Sequence, residues 1–305
     1  PKAKLQGQEI SPARRASAGG SLCPCPVRCP PQTERSQVLS SNGHAEAPGS
    51  ATGEAVNSVV MRVLVVLPTY NEAGNIVEVI RRVRAAAPDV DMLVIDDGSP
   101  DGTADLAEAF GSEIGRVEVL RRAEKTGLGS AYRDGFRFGL TGGYDVLVEM
   151  DSDLSHDPAS LPSLIEAVEQ GAALAIGSRY VPGGLIPNWS WSRRALSRYG
   201  NRYARWMLNL SAHDATSGYR AFRATMLRRV GLEDVRADGY GFQVEMAYLV
   251  ERAGGPVTEV PIEFRDRMAG TSKMSSRIVV EAMMLVTWWG LRDRYRAVFG
   301  RGHSA

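Results

Sequence analysis

The chain has 305 residues, of which 44% are hydrophobic and 23% charged, and its formal net charge is +1. That balance belongs to an ordinary globular protein and argues against both a nucleic-acid binder and an acidic interaction tail. No stretch approaches the roughly 18 consecutive apolar residues of a transmembrane helix, and the start carries no apolar segment of the signal-peptide kind.

Residues 1–60 are rich in Ser, Pro, Gly, Ala and Gln and have neither helical nor strand periodicity, so they are expected to form a disordered tail or linker. Cys23, Cys25 and Cys29 all fall there, and three thiols with no histidine nearby make a poor tetrahedral metal site. The body, 61–305, contains no cysteine, which fits a reducing compartment.

From Met61 onward strands and helices alternate. An apolar run over 62–67, ended by Pro68, predicts a buried strand. The segment 71–75 then leads into a helix whose Ile76, Val79, Ile80 and Val83 recur at helical spacing. A second strand over 92–95 ends on Asp96-Asp97-Gly98, and Asp101–Asp105 caps a second helix. A third strand over 117–120 is followed by a glycine-bearing loop and a helix over about 129–140. The fourth strand, 146–150, stops on two carboxylates one residue apart, Asp151 and Asp153. A helix over 161–170, a strand over 172–176, and a helix starting at Asn188 or Ser192 and running to about 210 come next. They are followed by a loop and short strand over 214–222, a helix from Gly239, a last strand over 257–264 and a C-terminal amphipathic helix near 275–295. The alternation predicts an α/β fold with a parallel sheet covered on both faces, and right-handed crossovers bring the strand ends to one edge.

That edge gathers Pro68, Tyr70 and Glu72, the pair Asp96 and Asp97, and the pair Asp151 and Asp153, which predicts a cleft beyond the carboxyl ends of the strands. Two hard oxygen ligands at such a place suit Mg²⁺ or Mn²⁺ held together with substrate phosphates, although acidic residues also end strands as turn formers and caps. Arg179, Arg193, Arg194 and Arg267 follow at strand ends or helix starts, where guanidiniums grip phosphate or else form a solvated basic face. His156 is a candidate ligand or base, and Glu245 is either a buried acid near the cleft or a carboxylate near a helix start. Gly127-Leu-Gly129 lacks the spacing of a dinucleotide fingerprint, and no Ser-His-Asp or Cys-His nucleophile stands out.

In order along the chain, Pro68-Thr-Tyr-Asn-Glu72, Asp96-Asp-Gly-Ser-Pro-Asp-Gly-Thr103, Met150-Asp-Ser-Asp-Leu-Ser-His156, Gly177-Ser-Arg-Tyr180 and Gly270-Thr-Ser-Lys273 resemble the motifs of family 2 glycosyltransferases. Over 61–290 the chain looks like the polyprenol-phosphate (dolichol-phosphate) mannose synthases of that family, in their actinobacterial form. The resemblance implies a GT-A fold with a mostly parallel central sheet, GDP-mannose as donor, a polyprenyl monophosphate as acceptor, and Mg²⁺ or Mn²⁺ as cofactor. It implies that Pro68, Tyr70, Glu72, Ile95 and Asp97 hold the guanosine, and that Asp151, Ser152 and Asp153 hold metal and diphosphate. Ser155 stands where some relatives place a glutamine ligand and is at most a weak one. Arg179, Arg193 and Ser197 would grip the acceptor phosphate, with Arg267 and Lys273 completing the enclosure; Asp153, Arg179 and Arg193 would carry catalysis. It further implies inversion without a general base, and peripheral attachment to the cytoplasmic face of the membrane. Trp288, Trp289, Arg292 and Arg294 of the last helix would serve that attachment unless the helix is simply buried. A membrane-anchoring subunit would assist, or an acyltransferase-like domain joined through 1–60. Two other readings share these motifs: a transferase using a UDP-sugar, and a catalytically silent subunit that binds nucleotide sugar.

Overall fold

The computed structural model describes residues 61–235, 237, 239–265 and 276–299. Its first strand, β1 (Val63–Thr69), buries six of seven side chains because it is apolar without interruption and therefore suits a strand covered on both faces. Val63, Val65 and Leu67 join one core cluster, while Leu64 and Val66 join another on the opposite face. The remaining strands are β2 (Asp91–Asp96), β3 (Val117–Arg121), β4 (Val146–Glu149), β5 (Leu174–Ser178), β6 (Arg220–Arg223) and β7 (Val257–Pro261). They form a single sheet in the order β3-β2-β1-β4-β6-β5-β7.

Helices α1 (Ile76–Ala86), α2 (Thr103–Ile114) and α4 (Leu161–Glu169) cover one face through Ile76, Ile80, Val83, Ala107, Leu161 and Leu164. On the other face lie α3 (Leu128–Thr141), α6 (Ala224–Val230) and α7 (Gly239–Arg252), through Tyr132, Phe136, Leu227, Phe242 and Met246. The short α6 has no counterpart in the sequence reading. Helix α3 approaches the sheet so closely that a Cβ on Gly135 would lie 2.4 Å from Val66 Cγ1 and 2.9 Å from Ile95 Cδ1. Only glycine fits there.

Every pairing is parallel except those of β6, which runs antiparallel to both β4 and β5. The expectation that strand ends all meet at one edge therefore holds for the parallel strands, whereas β6 presents its beginning there. This reversal brings the loop 214–219 onto the rim. A Cβ on Gly218 would sit 3.8 Å from both carboxylate oxygens of Asp151.

A third cluster joins α5 (Trp191–Leu208), α7 and α8 (Ser276–Phe299) through Ala204, Met207, Val244, Tyr248, Val286 and Trp289. Helix α5 starts at neither Asn188 nor Ser192. Its cap is Ser190, whose hydroxyl accepts the Arg193 amide at 3.4 Å. The last strand stops at Pro261, short of the expected Phe264, which makes only an isolated bridge with His156. Residues 1–60, including the three cysteines, together with Arg267 and Lys273, lie outside the described residues.

Candidate active site

The rim begins where β1 and β2 end. Thr69 Oγ1 donates to the Ile95 carbonyl at 3.2 Å and to Asp96 Oδ1 at 3.1 Å, tying the two strand ends together. Asp96 also accepts the amide and hydroxyl of Ser99 at 2.8 and 2.6 Å, so it holds the turn. Asp97 forms a 3.0 Å ion pair with Arg122, both side chains being nearly buried. Burial pushes the Asp97 carboxyl up, against the pull of Arg122 and Lys125. Lys125 lies over the ring of Tyr70 at 4.1 Å.

Glu72 works partly as a helix anchor. Its carbonyl accepts the amides of Asn75 and Ile76, its carboxylate accepts Asn75 Nδ2 at 2.9 Å, and its own amide donates to Thr103 Oγ1. Ile95 is fully buried in the core rather than on the rim, so anything it gives a ligand comes from its backbone. The Pro68 carbonyl accepts Ser152 Oγ at 3.1 Å, fastening the acidic loop to β1.

Asp151 and Asp153 leave the end of β4 as expected. Tyr132, fully buried beneath them, donates its hydroxyl to Asp151 Oδ1 at 3.4 Å; burial chiefly, with the Asp151 charge, raises the phenol and keeps it protonated. Asp153 Oδ1 accepts the Ser155 amide at 3.0 Å, and Leu154 between them sits at φ 62°, a backbone conformation costly for a bulky side chain. The Ser155 amide holds the second carboxylate in this turn. His156 is not placed as a free base: its Nδ1 accepts the Asp151 amide at 3.2 Å, which puts the ring proton on Nε2, and the ring stacks on Tyr219.

The donor set fits a hard divalent cation. Asp151 and the buried Asp153 follow the end of β4 one residue apart, and Ser155 Oγ, two residues on, is buried without a hydrogen-bond partner. Among the described residues no cluster of three or more His, Cys, Asp or Glu is placed to hold a metal ion, so any cation here would need ligands from a bound substrate.

On the other side of the cleft, Arg179 is buried and its fork closes on Asp214. Nε and Nη2 donate to the two carboxylate oxygens at 2.7 Å each, the Arg179 amide adds a third bond at 3.0 Å, and Nη2 also reaches Thr216 Oγ1 at 2.9 Å. Burial alone would raise the Asp214 carboxyl, but Arg179 and these hydrogen bonds win and hold it below the ordinary range. Asn201 locks the same turn by donating to Thr216 Oγ1 and accepting the Thr216 amide. Arg193 lies over the Trp189 ring at 4.0 Å, and Ser197 Oγ accepts the Tyr180 hydroxyl at 2.7 Å. Arg194 belongs elsewhere: Nη2 donates to the Ile186 carbonyl at 2.7 Å, so it braces the chain before α5 and does not line the pocket beside Arg179 and Arg193. Glu245, buried and beyond the first turn of α7, accepts the Ala237 amide at 2.9 Å and so secures the approach to that helix.

Arg179, Arg193, Ser197 and Thr216 form the polar end of a pocket of about 100 Å³ whose walls are apolar: Leu196, Tyr199, Val244, Met283 and Val286 from α5, α7 and α8. It is shaped for a ligand with an anionic head and a hydrocarbon tail. Beneath the seam between the two sides, Arg220 is fully buried and donates to the carbonyls of Ala215, Ser217 and Gln243 at 2.6–2.7 Å, fastening the 214–219 loop to α7. Opposite it in the β4–β6 register is Glu149, also fully buried. Neither of its carboxyl oxygens closes a hydrogen bond, although Gln243 lies beside it. Burial raises this carboxyl to about 8 despite the attraction of Arg220.

Asp214, Thr216, Asn201, Arg122, Lys125 and Arg220 were not singled out from the sequence. The string Asp214-Ala-Thr-Ser-Gly-Tyr-Arg220, polar residues packed into one short turn, was the available signal for three of them.

A parallel-rich α/β sheet with acidic strand ends facing a basic, apolar-walled pocket is the arrangement of a nucleotide-sugar transferase with a GT-A fold. Solved structures of glucosyl-3-phosphoglycerate synthase from Mycobacterium tuberculosis share that fold. One, holding Mn²⁺, UDP-glucose and phosphoglyceric acid, matches with a TM-score of 0.59 at 20% identity over 76% of this chain and 80% of that one. Residues 64–231 match glycosyl transferase family 2, and the chain belongs to that family. It is 51% identical to an undecaprenyl-phosphate mannosyltransferase of Micrococcus luteus, across 79% of this chain and 99% of the relative. It is 47% identical to a polyprenol monophosphomannose synthase of Mycolicibacterium smegmatis, across 81% and 93% respectively. Identity to a dolichol-phosphate mannosyltransferase of Pyrococcus furiosus is 36%, over 77% of this chain and 66% of that protein.

Proposed function

We propose that this protein transfers mannose from GDP-mannose to a polyprenyl monophosphate, with inversion, giving a β-linked lipid-phosphate mannose. The observation that carries the reading is the amphipathic pocket, where Arg179, Arg193 and Ser197 meet an apolar wall, reached from the acidic rim through the short loop from Asp214 to Gly218. Its relatives' names point to the same acceptor class and sugar.

The donor nucleotide lies along the ends of β1 and β2, with Pro68, Tyr70, Glu72 and Asp97 around the base and ribose. Asp151 and Asp153, with Ser152 between them and Ser155 as a weak contributor, would hold Mg²⁺ or Mn²⁺ together with the donor diphosphate. When bound, the cation offsets the negative charge that grows on the leaving diphosphate. Arg267 and Lys273 are assigned to completing the phosphate enclosure by the family resemblance alone.

The acceptor phosphate is anionic at neutral pH, so its oxygen attacks the mannose C1 without losing a proton. As the new C1–O bond forms on one face, the bond to GDP breaks on the other, and the electron pair leaves with the diphosphate. No general base is needed, which agrees with a His156 already engaged through Nδ1. Arg179, Arg193 and Ser197 orient the attacking phosphate, and Asp214 fixes Arg179 so that the guanidinium needs no rearrangement at the moment of reaction. The enzyme works peripherally at the cytoplasmic face of the membrane, in keeping with a cysteine-free body, with a membrane subunit or acyltransferase-like domain as its anchor.

Anomeric analysis of the product made from GDP-mannose and a short polyprenyl phosphate tests the mechanism. A β-mannosyl phosphate is expected, and an α product would overturn inversion.

A further inference from the structure

Trp189 is buried between two exposed neighbours, Asn188 and Ser190, in the stretch that leads into α5. The Arg193 guanidinium lies 4.0 Å from the centre of its ring, inside the roughly 6 Å reach of a cation–π contact. The Arg179 guanidinium is 5.5 Å from the same ring. Both arginines and Trp189 line the amphipathic pocket, so one indole stands against the two cations assigned to the acceptor phosphate. An arginine arm is long and loses rotamer freedom when it is fixed. A flat ring under the guanidinium restricts the arm while leaving the in-plane N–H groups to bind an anion. The backbone of Arg193 is held separately, by the Ser190 cap of α5, so the indole acts on the side chain.

A second ring stands behind the indole. Phe264 meets Trp189 edge to face at 5.6 Å and meets His156 in the same way, also at 5.6 Å. The backbone around Phe264 is pinned on both sides. Its amide donates to the Leu185 carbonyl at 2.9 Å, and the Arg265 amide donates to the Ser155 carbonyl at 3.2 Å. The Leu185 amide returns a bond to the Ile262 carbonyl at 3.0 Å. His156 Nδ1 accepts the Asp151 amide at 3.2 Å. An unbroken run of contacts therefore leads from the acidic turn through His156, Phe264 and Trp189 to Arg193. Its members all lie just beyond strand ends: His156 after β4, Trp189 after β5 and Phe264 after β7. His156 enters the run through its ring, a role separate from ligand or base.

We infer that Trp189 is a positioning residue that, backed by Phe264 and His156, sets where the Arg193 guanidinium stands relative to the acidic turn. The inference deepens the proposed function and rests on it for the identity of the anion that Arg193 grips. The acceptor phosphate must bring its oxygen to about 3–3.5 Å from the sugar C1, and a small misplacement there costs more in rate than in binding. A run of packed rings between the acidic turn and Arg193 fixes that spacing before either substrate arrives.

A double-mutant cycle of Trp189→Leu and Arg193→Gln in the full chain tests the inference, read by steady-state transfer and by calorimetric binding of a short, water-soluble polyprenyl monophosphate. Trp189→Leu is expected to lower acceptor kcat/KM by about tenfold or more, mainly through kcat, and to weaken phosphate binding about threefold. Donor KM is expected to stay within about twofold of wild type. Trp189→Phe keeps a flat face and is expected to recover most of the loss. In the Arg193→Gln background, Trp189→Leu is expected to cost less than about twofold, because the group it positions is already gone. Additive losses would overturn the inference and leave Trp189 as an anchor of its loop, as would an equal rise in both KM values. Should Trp189→Leu fail to fold, Phe264→Leu takes its place in the cycle with the same expectations. Non-additive binding with no transfer from any donor would leave the positioning role standing and remove the catalytic reading. A wild-type protein that binds no polyprenyl phosphate would overturn the inference.

Discussion

The two sides of the cleft are held in different ways. From β1 to β4 the rim is acidic: Asp96 and Asp153 each accept from a group two or three residues away, Ser99 and the Ser155 amide, and the Thr69 and Ser152 hydroxyls tie these turns to the neighbouring strand ends. Beyond β5 the rim is basic, and its guanidiniums are fixed by partners remote in sequence: Arg179 by Asp214, 35 residues on, and Arg220 by the Gln243 carbonyl, 23 residues on. The acidic side, the proposed donor side, is thus a set of short turns tied across neighbouring parallel strands. Its acceptor counterpart is a tertiary assembly that exists only once the antiparallel β6 delivers its loop. Substitutions on the first side should disturb chemistry locally, and those on the second should disturb position and stability together.

The largest effect is expected from Asp153→Ala. Loss of a carboxylate at the developing charge should lower transfer by about a thousandfold while leaving thermal unfolding nearly unchanged. A stable but silent protein would support the local character of the donor side, whereas full activity would refute the role of Asp153. Asp214→Asn should behave differently. It leaves the Arg179 charge buried without its counterion, so chemical denaturation should report a loss of about 3–5 kcal/mol, and the acceptor KM should rise more than the donor KM. Equal rises in both would show that the two sides are not separable.

At the seam, Glu149→Gln probes pH. The Glu149 carboxyl titrates near 8 in the fold but near 4.5 when unfolded. Its folded form therefore binds the extra proton between those values, and wild-type stability is full below about 4.5 and falls as pH rises towards 8. The glutamine variant lacks this dependence, so its melting temperature should gain on wild type from pH 5 to pH 8 and stay level above. A constant gap would mean that Glu149 is charged throughout. The smallest effect is expected for Gly135→Ala. The new methyl must push Val66 and Ile95 aside, at a cost of about 1–3 kcal/mol in stability, with kcat affected less than for Asp153→Ala.

The same contrast decides how much was legible in the sequence. Largely apolar runs such as 62–67 and 146–150 announced strands buried on both faces, and the carboxylates beyond the strand ends announced the acidic rim, because strand-end chemistry is local in sequence. Asp214 could not be matched to Arg179 in this way, since nothing in a single sequence pairs residues across a strand reversal. The direction of β6 is a tertiary outcome, and α6 is too short for periodicity to stand out. Arg194 misled because a helix-start arginine looks alike whether it meets a phosphate or a carbonyl. Trp288 and Trp289 looked equivalent until the packing of α8 against α5 and α7 separated them.

Sugar transfer itself is the most direct test of the proposed function. Radiolabelled GDP-mannose, UDP-glucose and UDP-N-acetylglucosamine would each be incubated with the protein, a short polyprenyl phosphate and membranes, with Mg²⁺, Mn²⁺ or EDTA. Label should reach the organic phase from GDP-mannose alone and disappear with EDTA. Label from a UDP-sugar, or none from any donor with a folded protein, would contradict it.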